Sequence, residues 1–171
     1  MKSLTFLFIA IMLSGYLTAQ EKFSVPQPTT DQKIEVLYNH VIAYSVTGIS
    51  FAKTKGVSPE EYGVFIGKKF TTYWNPDAGF PVLINQMMLI LTGMHPENEM
   101  QIVKQDGNSI TFKMKNVDLA FKNGPMFDVT YQDFLDCSYG IISVLARYMN
   151  SSFSHKMTDD GWYVATFSKE S

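Results

Sequence analysis

"MQIVKQDGNSITFKM", residues 100–114, decides the fold class. Met100 and Ile102 alternate with polar neighbours, and Ile110, Phe112 and Met114 do the same beyond Asp106-Gly107. Successive side chains of an extended strand point to opposite faces, so a period of two marks two half-buried strands. Asp-Gly between them is the residue pair that a tight hairpin turn favours. The stretch predicts a β-hairpin, and a lone hairpin is barely stable in water unless other elements cover its apolar face.

Toward the C-terminus, a loop through Gly124 and Pro125 leads to Thr130–Asp133, a capping box with Asp in place of Glu. The helix behind it, from Tyr131 to about Met149, puts Phe134, Leu135, Ser138, Ile141, Ile142, Leu145 and Met149 on one face. Phe153–Met157, the turn Asp159-Asp160-Gly161 and Trp162–Phe167 then read as a second hairpin.

Toward the N-terminus the period changes to that of helices. Thr29-Thr30-Asp31-Gln32 is a capping box. Behind it, Ile34, Leu37, Tyr38, Val41, Ser45, Gly48 and Ala52 form one stripe, and His40, Tyr44 and Phe51 a second. The first helix is therefore expected to be buried on more than one side. Lys55-Gly56 ends it. Ser58-Pro59-Glu60-Glu61 starts the next, with Ser as N-cap, Pro at the first helical position and Glu closing the box. Tyr62, Phe65, Ile66, Phe70 and Tyr73 are its expected apolar face, while Gly63 and Gly67, four apart, predict a close helix approach. "YWNPDAGF", residues 73–80, reads as a helix–helix corner in which only Trp74 and Asp77 remain candidates for recognition. "FPVLINQMMLILTGM", residues 80–94, is apolar almost all round and too short to span a bilayer, hence a core helix.

The expected fold is α+β: three N-terminal helices, a β-hairpin, a helix and a second β-hairpin, with a four-stranded antiparallel sheet covered by helices. "MKSLTFLFIAIMLSGYLTAQ" at the start has a Lys-bearing head, an apolar run from Leu4 to Leu13 and a small-residue exit. That layout is a cleavable export signal. The expectation is a leader over residues 1–19 cut after Ala19, a linker over 20–28, and one domain over 29–171. The mature chain would be secreted or periplasmic, with no transmembrane segment once the leader is gone.

With 14 Lys+Arg against 16 Asp+Glu the formal net charge is −2, and loss of Lys2 with the leader makes it −3. A mildly acidic chain without a basic run has no electrostatic footprint for nucleic acid. One cysteine, Cys137, allows no internal disulfide, so packing must hold the fold. His40, His95 and His155 stand far apart and form no close-spaced ligand pair, so neither a metal site nor a cofactor is expected. The ten methionines fall mostly at core positions, as in a plastic core or a pocket for a flexible apolar ligand. There is no GxSxG elbow. Cys137 is the one candidate nucleophile, but it lies beyond the helix's first turn and on the edge of its apolar face, where a buried structural thiol is the simpler reading. Asp133 is more simply a cap than an acid–base group.

The segment "DCSYGIISVLARYMNSSFSHKMTDDGWYVATF" resembles the C-terminal part of the 4-vinyl reductase domain family, with related layouts in aminothiazoline carboxylate hydrolase-like proteins. Cys137, Gly140, Gly161 and Phe167 occupy that family's positions, and the resemblance runs from Met100 to about residue 168. The approach to Phe167 reads Val164-Ala165-Thr166, without the further cysteines often found there, which argues against a multi-thiol site. The resemblance implies a small-molecule-binding α+β domain with its ligand between helices and sheet.

Three functions are open to such a chain. The first is non-catalytic binding of a small apolar ligand by Tyr44, Phe51, Met87, Cys137 and Ile141, with His40 beside them and Trp74 and Asp77 from the corner. The second is a small-molecule hydrolase using Cys137 with His40 or His155 as base. The third is a structural or interaction domain that docks a neighbour through its third helix.

Overall fold

The computed structural model describes residues 25–93 and 97–170. The expected leader, its expected cleavage point after Ala19 and His95 lie outside them. The described residues divide at Lys33–Ile34 into two units. The described part of the first supplies the start of helix α1 (Thr30–Thr54), where the Thr29 N–H donates to Gln32 Oε1 at 2.9 Å and the Gln32 N–H to Thr29 Oγ1 at 3.2 Å. The remaining helices and all four strands belong to the second.

After α1 come α2 (Pro59–Phe70), α3 (Gly79–Gly93), β1 (Glu99–Gln105), β2 (Ser109–Lys115), α4 (Tyr131–Tyr148), β3 (Ser151–Met157) and β4 (Tyr163–Lys169). The four strands form one antiparallel sheet in the order β1-β2-β4-β3. The fold is α+β, as the alternation in residues 100–114 requires. Pairing of β2 with β4 joins the two hairpins and sets Ile110 opposite Phe167 and Phe112 opposite Ala165. These residues bury one face of the sheet against α3 (Leu83, Ile84, Met87) and α4 (Ile142, Leu145, Ala146).

Both predicted caps on the second unit's helices are closed. Ser58 Oγ accepts from the Glu61 N–H at 3.2 Å while Glu61 accepts from the Ser58 N–H at 2.9 Å. Thr130 and Asp133 do the same for α4. At the corner, Asn75 is extended, its side chain accepts from the Asp77 N–H at 3.1 Å, and Gly79 takes a φ of +79°, which favours glycine.

Three packing expectations are overturned. The first helix is not buried on more than one side: α1 buries Ile42, Val46, Ile49 and Ala52, while Tyr44 is 76% and Phe51 62% exposed. Ile34, Leu37 and Val41 of the first expected stripe are exposed as well, and the buried face runs through Ile42, Val46 and Ile49, which neither expected stripe contained; only Ala52 was foreseen. On α2 the aromatics Phe65 and Phe70 are exposed, as is Tyr73 in the 3-10 turn that follows it, and the buried surface of the helix is Gly63 and Gly67. Close backbone approach won over side-chain area there. On β1, Ile102 is 52% exposed although it pairs with the buried Phe112. The pairing register shifts between Ile102 and Lys104 on this edge strand, and Ile102 lines an open cleft beside Phe80, Ile84 and Met88 of α3.

Candidate functional site

The site begins with three glycines. A Cβ on Gly63 of α2 would overlap the carbonyl oxygen of Cys137 on α4, and one on Gly140 would overlap the Glu60 carbonyl. A Cβ on Gly67 would stand 2.9 Å from both the Ile141 oxygen and the Val144 Cβ. These glycines let α2 and α4 touch backbone to backbone. α1 and α3 carry larger side chains and stand further off. Gly48 helps on α1, where an added Cβ would lie 2.5 Å from the Tyr62 hydroxyl.

The unequal spacing leaves a pocket of about 260 Å³ among the four helices. α1 contributes Ser45 and Ile49, and α2 contributes Tyr62, Ile66 and Phe70. Trp74 closes it from the corner, Met87, Ile90 and Leu91 line it from α3, and Cys137 and Ile141 lie on the α4 wall. Its volume is just under the usual range for ligand sites, ~300–1,000 Å³, and its wall is mostly apolar as theirs are. The two serines on it are already satisfied. Ser45 Oγ donates to the Val41 carbonyl at 2.8 Å, and Ser138 Oγ to the Phe134 carbonyl at 2.9 Å. Cys137 is buried, and burial pushes its thiol up to about 11. No acid, base or cation lines this pocket.

Of the residues singled out in the sequence, Met87, Cys137, Ile141 and Trp74 meet here. Tyr44, Phe51 and His40 lie on the outward side of α1; His40 Nδ1 hydrogen-bonds the Val36 carbonyl at 2.8 Å and its ring stacks on Tyr44. Asp77 is exposed on the short 3-10 turn Pro76–Ala78. His155 sits on β3, boxed by Tyr139, Phe153 and Tyr163 with ring centroids 5.2, 5.8 and 5.2 Å away. Its Nδ1 is buried and without a partner, and burial lowers its pKa against a weaker opposing pull from Asp136. Neither His40 nor His155 lines the pocket that holds Cys137. Among the described residues, no three of His, Cys, Asp and Glu stand together as metal ligands would.

A smaller cavity of about 50 Å³ adjoins the first and shares Leu91, Phe134, Ser138 and Ile142 with it. It is more polar, with Asn98, Asn116, Tyr131 and Tyr163 on its wall. Sequence patterns singled out none of these four as site residues, nor Tyr62 and Ile66. For Tyr62 and Ile66 a signal existed: each immediately precedes a packing glycine, which sets it on the flank of the α2–α4 contact. Nothing local marks Asn98.

No family model matches the chain, and no curated protein matches it. Among solved structures, the Fe(II) unliganded H-NOX protein from K. algicida is similar at 12% identity with a TM-score of 0.37, over 87% of this chain and 77% of that one. A point mutant of that protein gives 13% and 0.38, over 96% and 88%. Likeness this weak carries no function across.

Proposed function

We propose that this chain is an exported, non-catalytic domain that binds a small apolar ligand among its four helices. The observation that carries the reading is the pocket bounded by Ile49, Ile66, Met87 and Ile141, whose hydroxyl-bearing serines are satisfied by their own helices. Such a wall offers a ligand apolar burial, at about 25 cal/mol per Å² removed from water. It offers no group to move a proton. Cys137 is its one potential nucleophile, and its raised pKa leaves little thiolate at neutral pH. Export is the expectation carried by the leader.

The test is a fluorescence titration of the purified mature chain with phenylnaphthylamine, beside native mass spectrometry of the protein as isolated. Binding to the wild type that is lost in Ser45→Phe, which fills the pocket from α1, supports the reading. Unchanged binding in that variant, or no binding and no co-purified ligand, overturns it. The export half is read separately: the secreted form should begin at Gln20, and retention of the whole leader would count against it.

A further inference from the structure

Asn98, just ahead of β1, is held by one hydrogen bond: its Nδ2 donates to the Leu91 carbonyl, at the C-terminal end of α3, at 2.9 Å. That bond fixes the orientation of the amide, since only the NH2 can donate to a carbonyl. Its other end, Oδ1, is buried and has no partner, and Asn98 is one of the residues that line the smaller cavity. A buried amide oxygen is an acceptor that calls for a donor. Leu91, Phe134, Ser138 and Ile142 line both this cavity and the larger, apolar pocket, so the two volumes adjoin. No Lys, Arg, His, Asp or Glu lines either volume.

We infer that the two cavities form one site for a neutral amphiphile, whose apolar body fills the four-helix pocket and whose head donates a hydrogen bond to Asn98 Oδ1. This rests on the pocket being a ligand site, as proposed above. The head is uncharged, because no side chain of opposite sign faces it. It is a donor, such as a hydroxyl or a primary amide, because a carboxylate or an ester would set an acceptor oxygen against Oδ1. Tyr131 and Tyr163 stand beside the head, and burial raises both phenols, so they stay neutral at physiological pH.

The experiment displaces bound phenylnaphthylamine with dodecanol, dodecanoic acid and methyl dodecanoate, which share one chain and differ at the head. The alcohol should compete about tenfold better than the ester or the acid, the worth of one hydrogen bond to an otherwise unpaired acceptor. In Asn98→Leu, which removes the acceptor, that preference should vanish while the ester competes as before. Equal competition by alcohol and ester in the wild type overturns the inference, whatever the variant does. So does a preference that persists in Asn98→Leu, since it would then belong to another group. If Asn98→Leu does not fold, Asn98→Ser serves in its place and should weaken the preference. Failure of the probe itself to bind defeats the pocket reading, a different result from a bound probe with no head-group preference.

Discussion

Gly63 on α2 lies against the backbone of Cys137 on α4, with no space between them for a side chain. An alanine there must push the two helices apart or bend one of them. Gly63→Ala is expected to destabilise the fold by about 1–3 kcal/mol, the usual range for overpacking a tight contact. Gly107→Ala is the control, since an added Cβ in that turn meets nothing within 4 Å. Its effect should stay within about 0.5 kcal/mol. Urea unfolding of both variants checks the pair, and equal losses would mean that the close approach is not what holds α2 to α4.

How far these contacts could be read from sequence depends on whether their cause is local. A capping box is written in four consecutive residues, so Ser58–Glu61 and Thr130–Asp133 are legible in the residue order alone. Strand alternation is likewise local, and with Asp106-Gly107 it is enough for the first hairpin. Burial of a helix face is not local. Tyr44 and Phe51 obey helical periodicity as well as Ile42 and Val46 do, but only the second pair meets Phe121, Val129 and Cys137. For the site, residue type and spacing reach Met87, Cys137, Ile141 and Trp74, whose size and apolarity suit a pocket wall. They do not reach Asn98, whose interest lies in a missing partner.

Cys137 should be nearly inert in the folded protein. Burial lifts its thiol from an ordinary 9.0 to about 11, which lowers the thiolate fraction at pH 7.5 by about two powers of ten. Iodoacetamide is expected to label it slowly under native conditions and readily in denaturing urea, as followed by mass. Rapid native labelling would contradict the burial and revive a hydrolase built on this thiol.

Asp133 joins α1 to α4. It closes the Thr130 cap, accepting from the Thr130 N–H at 2.9 Å and hydroxyl at 3.0 Å, and it receives Lys53 Nζ from α1 at 2.9 Å. Burial pushes this carboxyl up, but the Thr130 N–H, the Lys53 ammonium and the Thr130 hydroxyl together hold it below its usual range. Its contribution is therefore present at neutral pH and is lost as pH falls through the carboxylate range. Asp133→Ala should cost about 0.5–2 kcal/mol through the lost cap, and less at acid pH. A double-mutant cycle with Lys53→Ala should add a coupling of no more than about 1 kcal/mol, because the pair is partly exposed. A cycle far above that would show that the ion pair, and not the cap, joins the two helices.

His155 gives the fold an acid-sensitive point above the carboxylate range. Its ring lies among Tyr139, Phe153 and Tyr163, and burial keeps its pKa below the ordinary 6.5 against an opposing pull from the Asp136 carboxylate. Well above 6.5 the ring is neutral in both folded and unfolded chains and adds no pH dependence. Below 6.5 the unfolded chain takes up a proton that the folded chain resists, so stability falls until the lowered folded value is reached. Between pH 7.5 and 5.5 this loss is bounded at about 1.4 kcal/mol, and it is smaller for a ring that is only partly buried. His155→Phe keeps an aromatic in the box and removes the titration. The wild type should therefore lose more thermal stability than the variant over that interval, measured as the change in Tm between the two pH values. Parallel slopes would place the sensitivity elsewhere.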